Sequence, residues 1–160
     1  SIEYVKNQVK SGIDCFQLFE TYSGIISNED YKNFILPLST KILLEARESG
    51  VPTIFFPKNF NEGLKYINKE MCDYVSVDYD ISLDNARNLL DSEVGIQGNM
   101  DPKIFYQEID EIENYLKSLI DFGSKNTDWI FNLGHGFRPD IDHIKVKYVV
   151  EWIKNANWKR

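Results

Sequence analysis

Few residues in this chain have side chains suited to chemistry, and those few fall in short polar clusters. "FNLGHG" (131–136) holds His135, one of two histidines among the 160 residues, between two glycines. A histidine on such a turn either donates a hydrogen bond to a bound anion or bonds the local backbone, and the residues alone leave both open. Lys58 in "FFPKNF" offers a cation, or a solvated surface charge. Asp78 and Asp80 in "DYD" lie two apart, on one side of an extended chain, as a carboxylate pair or metal site requires. No third ligand is evident, so a structural role is the simpler expectation. "QGNMDP" (97–102) sets Gln97, Asn99 and Asp101 around Gly98, and its polar side chains are expected chiefly to satisfy loop backbone.

Each cluster follows an apolar run rich in β-formers. The runs are "DCFQLFE" (14–20), "PTIFFP" (52–57), "YVSVDY" (74–79), "VGIQG" (94–98) and "DWIFNL" (128–133). Each run precedes a helical pattern. Tyr31 to Glu48 carries Phe34, Ile35, Leu38, Ile42 and Leu43, with a capping box at Ser27–Asp30 and a kink or break expected at Pro37. Glu62 to Glu70 reads as a short helix, and Ser82 as the N-cap of Leu83 to Leu90. Asp101–Pro102 starts a helix bearing Ile109, Ile112, Leu116, Leu119 and Ile120. Asp142 to Asn155 buries Ile144, Tyr148, Val149, Trp152 and Ile153. A further helix opens the chain, with Ile2, Val5 and Val9 on one face and Gly12 near its end.

Five β-α units predict a parallel sheet with right-handed crossovers. A doubly wound sheet of flavodoxin type and most of a (β/α)8 barrel both fit, although a full barrel needs about 250 residues. Either fold binds ligands beyond the carboxyl ends of its strands, where the polar clusters lie.

Composition narrows the classes. Apolar residues make up 42% and aromatics 14%, as in a globular domain, and the net charge of −7 gives no support to nucleic-acid binding. No apolar stretch approaches the ~20 residues of a membrane span and no signal-like segment opens the chain, so a soluble cytoplasmic protein is expected. Cys15 and Cys72 sit beside apolar residues and are expected as buried thiols, not a disulfide. A start at Ser1, with a helix already under way, is what a fragment or processed product would show.

Taken in order, "QLFETYSG" (17–24), "GVPTIFFPK" (50–58), "DYVSVDYD" (73–80), "QGNMDP" and "NLGHG" resemble the uroporphyrinogen decarboxylase family. The resemblance covers nearly the whole chain. It implies a partial (β/α)8 barrel of about five β-α units, corresponding to strands four to eight. Residues 1–160 would then form one domain, the carboxy-terminal half of the barrel, with the amino-terminal half absent. The resemblance further implies loss of the four acetate carboxyl groups of uroporphyrinogen III to give coproporphyrinogen III, without cofactor or metal. The enzymes are commonly homodimers, so self-association is expected.

Carried over by position, Thr21 and the Phe19 backbone N–H would bind a substrate carboxylate, and His135 would hold another. Tyr22, Lys58 and Asn99 are weaker candidates. The family's catalytic aspartate, two substrate-binding arginines and site tyrosine belong to the amino-terminal half, so no catalytic residue is expected in this chain, which alone would be inactive. A non-catalytic porphyrin- or polyanion-binding half-barrel is the alternative. A zinc-dependent methyltransferase relative is disfavoured, because "FFPKNF" has neither His nor Cys and "NLGHG" has His where those relatives have Cys.

Overall fold

A computed structural model describes residues 1–158; Lys159 and Arg160 of the expected domain lie outside the described residues. Helix α1 (Ile2–Lys10) precedes strand β1 (Phe16–Glu20). The chain continues through α2 (Asn28–Asp30), a π-helical turn (Tyr31–Ile35) and α3 (Leu36–Glu48) to β2 (Thr53–Pro57). Next come β3 (Tyr74–Ser76), α4 (Leu83–Leu89) and β4 (Gly95–Met100). Helices α5 (Ile109–Ser118) and α6 (Ile120–Lys125), strand β5 (Trp129–Leu133) and α7 (His143–Asn155) complete it.

All five strands are parallel, in the order β1-β2-β3-β4-β5. A flavodoxin-like sheet reverses direction at a switch point, and this one does not. Right-handed crossovers that always step the same way leave every helix on one face, as in a barrel wall. The opposite face curls inward. Across a flat sheet β1 and β4 would lie about 14 Å apart at the usual strand spacing. Yet the Gln97 amide reaches the Gln17 carbonyl oxygen at 3.4 Å, across β2 and β3. The fold is an α/β arc, part of a (β/α)8 barrel.

The core lies between this arc and its helices. Leu43 and Ala46 of α3, Phe55 and Val75 of the sheet, and Ile112 and Leu116 of α5 are fully buried. Helix α1 packs against α3 through Val5, and α5 packs against α7.

Several boundaries differ from the sequence pattern, each for a local reason. The Tyr31–Glu48 segment is helical throughout, but Pro37, with no N–H for the Asn33 carbonyl, stands in the first turn of α3 after the π-helical turn. Ser27 accepts the Asp30 N–H as expected, and its hydroxyl donates to the Asp30 carboxylate. Only a 3-10 segment, Asn61–Tyr66, forms within the expected Glu62–Glu70 helix. The Asn68 side chain accepts the Glu70 N–H in a competing local turn. Strand β3 stops at Ser76, whereas β4 runs on to Met100, so most of "QGNMDP" is strand rather than loop.

Asp101 caps a 3-10 segment, Pro102–Tyr106, and the true helix α5 starts later at a Glu108–Glu111 capping box. In α7, Ile144 is 63% exposed rather than buried. Five residues advance a helix by about 140° beyond a full turn, which points Ile144 away from buried Val149. Both cysteines are free thiols, but only Cys72 is buried; Cys15, just ahead of the edge strand β1, is exposed.

Candidate functional site

Because the strands are parallel, the residues following each of them gather at one end of the arc. There a cavity of about 680 Å³ is lined by Phe19, Thr21, Lys58 and His135, from the ends of β1, β2 and β5. The volume falls within the usual range for small-molecule sites. Its floor is the concave face: Phe19, Phe56 and Ser76 stand in one row by register and share that side. Phe19 meets Phe56 edge-to-face at 5.8 Å. Phe105 and Phe137 wall the opposite side, 5.4 Å apart.

The polar groups of the lining are Gln17, Thr21, Lys58, Ser76, Asn132 and His135. No Asp or Glu is among the lining residues, in a chain with 25 acidic side chains. Amide, hydroxyl, ammonium and imidazole groups facing an apolar floor can donate to several carboxylates of one flat apolar ligand.

Main-chain geometry places a further donor at the edge of the arc. The Phe16 N–H donates to the Pro52 carbonyl and the Glu20 carbonyl accepts the Lys58 N–H, at either end of β2. Main-chain groups alternate sides along an extended strand, so the Phe19 N–H points the other way, toward the outer edge of β1.

The turns that carry these groups are tied to one another. Ser23, fully buried, donates its hydroxyl to the Lys58 carbonyl, joining the turn after β1 to the turn after β2. Lys58 also donates its N–H to the Glu20 carbonyl at 3.0 Å. At the other edge the Gly134 N–H continues the ladder to the Met100 carbonyl at 2.9 Å. Gly134 lies so close to the backbone of Asp78 and Tyr79 that no side chain fits. Gly136 has open space around it and no such requirement, so the close approach belongs to Gly134 alone.

The remaining candidates fall elsewhere. Tyr22 is 70% exposed and does not line the cavity. Asn99 is buried and spends its amide on the Asp78 and Ile81 carbonyls, the structural role expected of "QGNMDP". Asp78 is buried and bonded to backbone, while Asp80 is exposed, so the two do not form a carboxylate pair. Among the described residues no three His, Cys, Asp or Glu side chains gather as a metal site would need. His135 is the lone His or Cys of the lining, and Cys15 and Cys72 precede their strands at the far end of the sheet.

Gln17, Ser76 and Ser23 were not singled out from the sequence. Alternation along "FQLFE" does put Gln17 on the side of Phe19, a readable signal. Ser23 acts through a contact 35 positions away, for which the sequence carries no sign.

Comparison with known proteins bears on the family and the fold. The family model "Uroporphyrinogen decarboxylase (URO-D)" matches residues 1–156. Uroporphyrinogen decarboxylase of Geobacter sulfurreducens is 31% identical over 158 residues, 99% of this chain and 46% of the relative. That of Chlorobium luteolum is 36% identical over 162 aligned residues, 98% and 46%. That of Vesicomyosocius okutanii is 34% identical over 154, 95% and 45%. The chain thus spans a little under half the length of these relatives. A methyltransferase from Methanosarcina mazei superimposes with a TM-score of 0.80 at 18% identity, over 94% of this chain and 44% of that one, which shows a common fold. By the family model, which matches nearly the whole chain, the chain belongs to the uroporphyrinogen decarboxylase family.

Proposed function

We propose that the cavity binds the acidic side chains of a porphyrinogen, and that the chain contributes the carboxy-terminal half of a uroporphyrinogen decarboxylase barrel, strands four to eight. The observation that carries this reading is the acid-free, donor-lined, apolar-floored cavity on a chain of net charge −7. A flat tetrapyrrole with carboxylate arms needs that combination: an apolar seat for the ring and local donors against a repelling overall charge. Lys58 after β2 and His135 after β5 supply charged or polar donors, and Thr21 and the Phe19 N–H supply neutral donors from the edge strand β1.

Loss of carbon dioxide from an acetate arm leaves an electron pair that must be accepted, and a protonated pyrrole ring can accept it. Stabilising that ring calls for a carboxylate near the pyrrole N–H groups. None lines this cavity, so the reaction requires the strands that complete the eight-stranded closure, on whatever polypeptide they lie. The part played here is binding and orientation of the arms. Assembly with the rest of the barrel, and self-association as a dimer, belong to the same reading.

Uroporphyrin, the stable oxidised form of the substrate class, is a direct probe. Titration into this chain should quench its fluorescence with saturation, and His135→Ala and Thr21→Val should each weaken binding about tenfold, the worth of a hydrogen bond to a charged group. Equal, non-saturating quenching in all three proteins would overturn the reading.

A further inference from the structure

Asp78 is 3% exposed, yet it carries a carboxylate at the point where the turns after β2, β3 and β5 meet the end of β4. One oxygen accepts the Asn59 N–H at 2.6 Å, and the other accepts the Asp80 N–H at 3.0 Å. Its own carbonyl accepts the Asn99 amide at 2.8 Å, and Gly134 rests on its backbone. Asn59, which it grips, has φ +60°, the described non-glycine residue in the left-handed region, and directly follows Lys58. A buried carboxylate bonded only to backbone N–H groups is a costly choice for merely ending a strand, which an amide or hydroxyl can do.

From this we infer that Asp78 is the positioning residue of the cavity: it fixes the Lys58–Asn59 turn, and with it the direction in which Lys58 enters the site. This rests on the binding role of Lys58 above, but its chemistry is separate. The short bond to the Asn59 N–H stabilises a left-handed residue, and that turn sets the path of Lys58 from the end of β2. The Asn99 and Gly134 contacts lock Asp78 itself, so the turn bearing His135 and the turn bearing Lys58 refer to one fixed point across the mouth.

The test has one arm without ligand and one with it, both on the full chain. In Asp78→Asn, hydrogen exchange at the Asn59 and Asp80 amides should quicken about tenfold while Val75 and Ile96 in the sheet keep their rates. Uniform quickening, or none at Asn59, overturns the inference whether or not any porphyrin binds. For the second arm, Asp78→Asn should weaken uroporphyrin binding as much as Lys58→Met does, and the double variant should bind no more weakly than Lys58→Met alone. Asn59→Gly added to Asp78→Asn should restore binding, because glycine adopts the left-handed turn unaided. Additive losses, or no rescue, would show that Asp78 acts on the site as a general prop. Absence of binding by the unaltered chain would instead overturn the porphyrin reading, leaving the exchange arm to decide the role of Asp78.

Discussion

Gly134 lies against the main chain of Asp78, and a Cβ placed on it would sit 2.9 Å from the Asp78 carbonyl carbon. Backbone at the carboxyl end of the sheet, held by the hydrogen bonds of Asp78 and Gly134, cannot yield as a flexible side chain can. Gly134→Ala should therefore destabilise the chain by about 1–3 kcal/mol, the usual cost of overpacking. It should also weaken uroporphyrin binding by moving His135. Gly136→Ala, in open space, is the control and should do neither; chemical denaturation with parallel binding titrations compares the two.

The thiols should separate cleanly. Burial, helped by the Asp73 charge, pushes the Cys72 thiol up to about 12, although Lys69 and Arg47 oppose this. Partial burial and Asp73 also raise the Cys15 thiol, but its side chain is open to reagent. At pH 8 a disulfide reagent should modify Cys15, more slowly than it modifies a free thiol, and should reach Cys72 only on unfolding. Peptide mapping after labelling reads this out, and rapid native labelling of Cys72 would contradict the buried placement.

Asp73 should produce part of the acid sensitivity of the fold. Burial alone would raise its carboxyl, but hydrogen bonds from Lys69, from the Thr53 N–H and from the Thr53 hydroxyl, with the Lys69 charge, outweigh it and hold the group below its ordinary value. The unfolded chain then binds this proton more readily than the folded one. The stabilisation is complete above the ordinary carboxyl range and is lost as pH falls through the lower folded value. Asp73→Asn should lower stability at pH 6 and show a flatter decline toward pH 3 in urea titrations.

Core packing gives a simpler number. Leu43 is fully buried where α3 meets the sheet, so Leu43→Ala should cost about 2–5 kcal/mol by loss of transfer energy and creation of a cavity. A change under ~1 kcal/mol in calorimetric or denaturant measurements would mean that the site collapses around the gap.

Self-association is the expected outcome of two strand edges, β1 and β5, that have no neighbour among the described residues, together with exposed Phe19, Ile25, Phe34 and Phe137. Sedimentation over a hundredfold range of concentration should show mass rising with concentration. A monomer throughout would remove that expectation.

The order of elements was legible because period-2 apolar runs and amphipathic helices alternate along the chain, and because caps such as Ser82 and Asp142 are local chemistry. Family motifs named Phe19, Thr21 and His135, the residue pattern added Lys58, and all four line one cavity at the strand ends. The boundaries of β3 and β4 were not legible. Beyond β3 the Asp78 carboxylate meets backbone 19 residues earlier, at Asn59, a contact that no short window contains.

The sequence by itself determined the succession of five β-α units, the family and the end of the sheet at which polar groups collect, since all of these rest on periodicity and short-range pattern. Periodicity left a doubly wound sheet and a barrel arc both open, because strand order leaves no local trace; the resemblance implied the arc, and the observed strand order shows it. Tertiary structure also excluded Tyr22 and Asn99 from the cavity, and revealed Ser23, Gln17 and Asp78 as parts of its frame. Those assignments depend on contacts between residues 19 to 80 positions apart, which no window along the chain contains.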